Sequence, residues 1–214
     1  MIRFLKKKSW SLLNAVGFGG SVQLQMDSAL KQYGWFQSFS QRMSVNAAGD
    51  PIPWYTYPFI FFLEPRLSTS LQVFEYGSGN STRWYSQRVR SINAVEHDHE
   101  WIKIIAPKLP DNVKLVEKPL GDAYIQAIGE VGNQFDIIVV DGRKRVKCVK
   151  FAVDYLKPDG VLILDNSERH WYQEAKDLMH AKGFRRLDFR GMGPIVGYEF
   201  CSSVFYRDGN CLGI

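Results

Sequence analysis

The chain has 214 residues, 45% of them apolar and 23% charged, the length and balance of one globular domain with a sizeable core rather than of a disordered chain. Its formal charge of +5 permits an anionic partner without demanding one, because much of the excess sits in two clusters, Lys6 to Lys8 and Arg143 to Lys150. Three cysteines, Cys148, Cys201 and Cys211, cannot all pair within the chain and form no C-x-x-C, which argues against a disulfide scaffold and for a reducing, cytoplasmic setting.

No apolar run reaches the roughly 18 residues needed to span a bilayer. Lys6 to Lys8 followed by Trp10 to Val22 imitates a signal peptide, but Asn14 and three glycines interrupt the apolar part and no A-x-A site follows. The expectation is a flank or lid on the domain, with weak peripheral membrane association through the basic N-terminus left open. Residues 1–60 read as an accessory segment, helical or irregular. Within it a break is expected at Gly17 to Gly20 and a helix from Asp27 to Tyr33. Pro51 to Pro58 is a rigid aromatic approach whose Trp54 and Tyr57 are candidates for a pocket mouth. Phe59 to Leu63 reads as a helix, and residues 61–214 as the main domain.

From Leu71 the pattern is strand, turn, helix, strand. The apolar run through Val73 and Phe74 stops at Gly77-Ser78-Gly79, where tight turning and close approach to a ligand need glycine. Asn80 or Ser81 is placed to cap a helix ending near Arg90, and Ile92 to Val95 is a second buried strand closing on Glu96, 19 residues after Gly77. A carboxylate at that distance suits a ribose diol. Glu75, two positions before the first glycine, separates two ligands. A nicotinamide dinucleotide would bring its pyrophosphate against two carboxylates, whereas S-adenosylmethionine brings an ammonium and a sulfonium and leaves its carboxylate to the backbone N–H groups of the turn.

The alternation continues with a helix over Trp101 to Lys108, a strand over Val113 to Val116 and a helix from Asp122, as cap, to Gly129. A strand over Phe135 to Val140 ends in Asp141-Gly142. A helix follows over Arg145 to Leu156, then a turn at Pro158 to Gly160, a strand over Val161 to Leu164 ending in Asp165-Asn166, and a helix over Trp171 to Lys182. Phe184 to Phe189 and Phe200 to Tyr206 alternate apolar and polar residues as an antiparallel hairpin would. Strands that read as continuous apolar runs between helices imply a parallel sheet covered on both faces. Its carboxyl edge gathers Glu75, Glu96, Asp141 and Asp165.

Through EYGSGNST, AVEHD, PLGDA, FDIIVVDG, LKPDGVLILDN and the two-strand tail, roughly residues 70–207 resemble a class I S-adenosylmethionine-dependent methyltransferase. Residues 50–82, with VVDGRKR and the closing RDGNCLGI, further resemble a bacterial group of such enzymes with no assigned acceptor. The resemblance implies an α/β Rossmann-like fold: a mostly parallel seven-stranded sheet with an antiparallel last strand and helices on both faces. It implies that Glu75, Gly77, Ser78 and Gly79 hold the methionine portion of the cofactor, with Tyr76, Asn80 and Ser81 in the same stretch. Glu96 would hold the ribose hydroxyls with His97 beside it. Asp122 would hold the adenine amino group between Gly121 and Ala123, and Asp141 would face cofactor and acceptor. Ser81 stands where the family has its third glycine.

A more distant similarity to catechol-type O-methyltransferases implies a magnesium ion (Mg2+) on Asp141, Asp165 and Asn166, with Lys144 assisting deprotonation. The cations after Asp141 could instead pair with the two aspartates as a structural network. His170 is a candidate general base, while His97 and His99 read as a solvated turn. The expected reaction is O-methylation of a small molecule or saccharide, with Asp141, Lys144 and His170 as catalytic candidates. The run from Arg143 to Lys150 opens the question of an anionic acceptor, such as an acidic sugar or phosphate. An RNA or protein methyltransferase is the alternative, opposed by the absence of an amine-binding motif, an RNA module or a basic tail, so nucleic acid is not the expected partner. A non-catalytic cofactor-binding protein and a dinucleotide oxidoreductase are the remaining readings.

Overall fold

The computed structural model describes residues 10–132 and 134–214, so the Lys6 to Lys8 cluster and any surface role for it lie outside the described residues. In the N-terminal segment residues 10–15 are helical, and α1 (Gly19–Met26), α2 (Ala29–Gln32) and α3 (Trp35–Gln41) follow. The expected break is present at Val16 to Phe18, where Gly17 turns at φ +80° before α1 starts at Gly19, and a second break falls inside the expected helix at Asp27-Ser28. There the Ser28 Oγ accepts the Lys31 N–H at 3.1 Å and opens α2 as its cap. Helix α4 (Tyr57–Leu63) follows, its proline at a first-turn position where no intrahelical N–H bond is lost.

Seven strands form one sheet: β1 (Gln72–Tyr76), β2 (Ser91–Glu96), β3 (Val113–Glu117), β4 (Phe135–Val140), β5 (Leu156–Asp165), β6 (Arg185–Gly191) and β7 (Phe200–Tyr206). Their order is β3-β2-β1-β4-β5-β7-β6. The first five are parallel, and β7 is antiparallel to both of its neighbours. Every residue of β4 is buried, as a strand covered on both faces requires. The two-residue alternation sends Phe74, Tyr76, Ile138 and Val140 to one face, under α7 (Asp122–Val131), α8 (Arg145–Ala152) and α9 (Gln173–Ala181). Val73, Ile137 and Val139 go to the other, against α4 and α5 (Asn80–Ser86). Each of these fully buried aliphatic side chains contributes roughly 1.5–3 kcal/mol, so a charged residue at Ile138, wholly inaccessible, would break the central strand.

Element ends shift for local reasons. Helix α5 stops at Ser86 rather than near Arg90, because Arg88 N–H turns back to the Tyr85 carbonyl at 2.8 Å. Helix α6 (His99–Ile105) begins earlier than expected because the Asp98 carboxylate accepts the Trp101 N–H at 3.0 Å. Helix α8 ends at Ala152, and β5 already begins at Leu156, absorbing the Pro158 to Gly160 turn through a register shift against β4. Among the described residues no helix is long and apolar enough to cross a membrane.

Candidate active site

The parity that sends Val73 toward α5 sends Glu75 the same way, and there its buried carboxylate meets two hydroxyls. Ser81 donates to Oε1 at 2.5 Å and Thr82 to Oε2 at 2.6 Å. Burial pushes the Glu75 carboxyl up to about 8 against the pull of those two bonds. Ser81 is therefore not the helix cap: Gly79 takes that position, and its N–H is accepted by the Thr82 hydroxyl at 2.9 Å. Gly77 turns with φ +98°, and a Cβ there would lie 3.3 Å from the Gly142 backbone, so the turn after β1 and the turn after β4 touch.

Glu96, at the end of β2, is buried and organises its own surroundings. Its Oε2 accepts the Ser78 N–H at 3.1 Å, while Oε1 accepts the His97 N–H and meets His97 Nδ1, both at 2.7 Å. The Trp101 indole donates to the Ser78 carbonyl at 2.8 Å and holds the glycine turn from the far side. His99 is an exposed partner of Glu117.

At the ends of β4 and β5 one cation joins two carboxylates. The Arg145 guanidinium lies 2.9 Å from Asp141 Oδ1 and 3.9 Å from Asp165 Oδ2, and it also donates to the backbone carbonyls of Asp141, Gly142 and Asp165. Ser202, on β7, donates to Asp165 Oδ1 at 2.6 Å. Burial raises both aspartates above the ordinary carboxylate range, most strongly Asp165, with Arg145 opposing. This arrangement corrects the expected magnesium set. A guanidinium already pairs with the first carboxylate and neighbours the second, and among the described residues no three His, Cys, Asp or Glu side chains converge as a metal site. Asp141, Asp165 and Asn166 do not fit a divalent ion; the network alternative describes them.

A cavity of about 250 Å³ brings together Glu75, Gly77, Ser78, Ser81, Glu96, His97 and Asp141, with Gly142, Arg143 and Arg145 on its wall. Gly79 and Asn80 line the adjoining cavity of about 230 Å³. The structure does not bring the remaining candidates to either. The Tyr76 side chain points into the core, its hydroxyl donating to the Ile125 carbonyl at 2.7 Å. Gly121 is the cap of α7, Asp122 is its exposed first residue rather than its cap, and with Ala123 they line no cavity described here. Lys144 lies in an adjoining basic groove, and His170 is exposed beside Trp171, 4.8 Å between ring centres, and lines none of Asp141's cavities.

Residues not singled out from the sequence complete the site. Arg42, Met43 and Ser44 reach the 230 Å³ cavity together with Trp54, Trp101 and Ile195. The buried Ser44 Oγ has no hydrogen-bond partner among the described residues. Trp54 also lines a third cavity, of about 290 Å³, with Asp165, Asn166, Arg169 and Tyr198. Of the two aromatic candidates Trp54 does face a cavity, whereas Tyr57 is buried against Tyr33. Long-range bonds hold this wall: Asn80 Nδ2 to the Ser44 carbonyl at 2.8 Å, and the Trp35 indole to the Val196 carbonyl at 2.8 Å. From the sequence, flanking residues 1–60 and 190–200 are where acceptor contacts are expected, and within them only the aromatic density of residues 51–58 singled out particular side chains.

Residues 74–167 match the family model described as a methyltransferase domain. No curated protein matches the chain. Among solved structures, a precorrin 8w decarboxylase of Methanobacterium thermoautotrophicum aligns with TM-score 0.55 and 22% identity over 78% of this chain and 96% of that one. An rRNA methylase of Streptococcus thermophilus aligns with TM-score 0.52 and 14% identity over 70% and 96%. A Streptococcus mutans protein in complex with SAH aligns with TM-score 0.50 and 14% identity over 70% and 98%. The chain is thus a seven-stranded Rossmann-like methyltransferase fold that carries, at residues 74–167, the signature of a methyltransferase domain.

Proposed function

We propose that the chain is an S-adenosylmethionine-dependent methyltransferase that methylates an oxygen of a small molecule or saccharide. The observation that carries this reading is the position of Asp141. Its side chain lines the cavity of the glycine turn and Glu96, and also both cavities walled by Trp54. One carboxylate therefore stands where a cofactor side and an acceptor side meet.

The residues of the first cavity fit the cofactor by charge and shape. Glu96 and Asp141 supply the negative field that a sulfonium and an ammonium require, Glu75 stands beside them as a buried oxygen acceptor, and Gly77 leaves the backbone open for close approach. Glu96 is the candidate for the ribose hydroxyls. When bound, S-adenosylmethionine supplies an electrophilic methyl group. The chain's own residues then align the acceptor and take up its proton. Asp141 is the candidate base: burial raises its proton affinity, and Arg145, holding Oδ1, fixes its orientation. Trp54 and Trp101 offer aromatic surface, and Ser44 an unsatisfied hydroxyl, to an acceptor ring.

Calorimetric titration with S-adenosylmethionine, S-adenosylhomocysteine and NAD tests the reading. Micromolar binding of both adenosyl ligands, weakened at least tenfold by Glu96→Gln and absent for NAD, is expected. Binding of NAD alone, or of no ligand, would sink it.

A further inference from the structure

Behind the site runs a groove of about 380 Å³ lined by Arg143, Lys144, Arg145, Lys147 and Arg169, with no carboxylate on its wall. Arg145 is committed to Asp141 and Asp165. Among the described residues, Arg143, Lys144 and Lys147 have no carboxylate within ion-pair distance, and Arg169 has only Glu168, at 3.7 Å. The chain holds these cations together at a conformational cost: Lys144 sits at φ +53°, a left-handed backbone unusual outside glycine. The groove shares Gly142, Arg143 and Arg145 with the cofactor-side cavity, and Arg145 and Arg169 with the acceptor-side cavity at Asp165. Charge thus changes sign along one sheet edge, from the carboxylates around the glycine turn to the cations beyond Asp141, with Arg143 and Arg145 at the boundary.

We propose that this groove is an oxyanion-binding site that takes a phosphoryl group carried by the acceptor. A tetrahedral phosphate dianion offers several acceptor oxygens, and it suits arginine forks and lysine point charges converging from one turn and the start of one helix. The reach from the groove to Asp141 runs through the shared Arg145 wall, so an acceptor bound at both places presents its hydroxyl to the carboxylate while its phosphate is held. The proposal rests on the methyl-transfer reading, and the test separates the two.

Inorganic phosphate is titrated calorimetrically into the protein with and without saturating S-adenosylhomocysteine, at constant ionic strength set by chloride. Saturable binding is expected, weakened at least tenfold in Lys144→Gln/Lys147→Gln and unchanged in Lys108→Gln/Lys114→Gln, which removes the same charge elsewhere. Equal affinity in all three proteins, or no saturable binding, would overturn the proposal. So would strongly salt-dependent binding of a single-stranded RNA oligonucleotide with none of phosphate, since the groove would then serve a nucleic acid. If phosphate behaves as expected but S-adenosylhomocysteine does not bind, the oxyanion site stands and the methyl-transfer reading falls.

Discussion

Arg145 and Asp141 lie four residues apart across the turn between β4 and α8, 2.9 Å between Nη2 and Oδ1, and the same guanidinium reaches Asp165 on the neighbouring strand. A single side chain therefore decides whether a buried carboxylate, Asp165, and a half-buried one, Asp141, are tolerated together at the carboxyl edge of the sheet. Replacing Arg145 with Ala leaves both uncompensated, and the expected loss is about 3–5 kcal/mol in urea unfolding. Adding Asp165→Asn to that variant should recover part of the loss. Equal stabilities of the single and double variants would show that the pair is not coupled.

Glu75 gives the stability a pH dependence of defined sign. Its carboxyl rises from the usual 4.5 to about 8, so between those values the folded state binds a proton that the unfolded state has released. The energetic penalty is absent below pH 4.5, grows through the window and is complete above 8, amounting to roughly 5 kcal/mol at most. Relative to Glu75→Gln, the wild-type protein should lose stability as pH rises from 5 to 8.5 (roughly the window in which the two states differ in protonation). Parallel stability curves for the two proteins would contradict this.

Gly142 is confined from two sides. A Cβ there would lie 2.0 Å from the Tyr124 hydroxyl and 3.0 Å from the Gly77 nitrogen. Gly142→Ala should cost about 1–3 kcal/mol and weaken S-adenosylhomocysteine binding, because the clash displaces the glycine turn. Combining it with Tyr124→Phe removes the hydroxyl clash but not the backbone one, so thermal denaturation of the double variant should show only partial recovery.

Trp101→Phe keeps the aromatic surface and removes the bond from the indole to the Ser78 carbonyl. The lost bond is worth about 1 kcal/mol of stability, which predicts an unfolding midpoint lower by about 2–4 °C, and weaker S-adenosylhomocysteine binding because the turn it holds lines the cavity. A variant that binds S-adenosylhomocysteine as tightly as the wild type would show that the turn holds its shape without the indole.

The sheet was legible in the sequence because its strands are short apolar runs bounded by glycine, proline or aspartate, and Glu75 stood out as a carboxylate two positions before the first glycine of the turn. Glu75, Gly77, Ser78, Glu96 and Asp141 do share one cavity. Helix ends were read less well, since Gly79, Asp98 and Gly121 act through backbone geometry and capping bonds that a pattern of apolar positions does not encode. The magnesium set meets a neighbour: Asp141, Asp165 and Asn166 carry suitable oxygens, but Arg145 pairs with Asp141 and lies 3.9 Å from Asp165, opposing the charge a divalent ion would balance. The wall of Arg42, Ser44, Ile195 and Tyr198 was hidden for another reason. Those residues come from segments far apart in the chain, joined by bonds such as Trp35 to Val196 that leave no periodic trace.

Strand β6 is synthesised before β7 yet touches the rest of the sheet only through it. During translation β6 therefore has no docking edge until residues 200–206 have left the ribosome and paired with β5. The connecting segment, which brings Ile195, Val196 and Tyr198 to the acceptor cavities, cannot be positioned earlier. The wall of the site carried by β1 to β4 is thus complete in sequence well before the segment at 195–198 has the β7 edge that holds it.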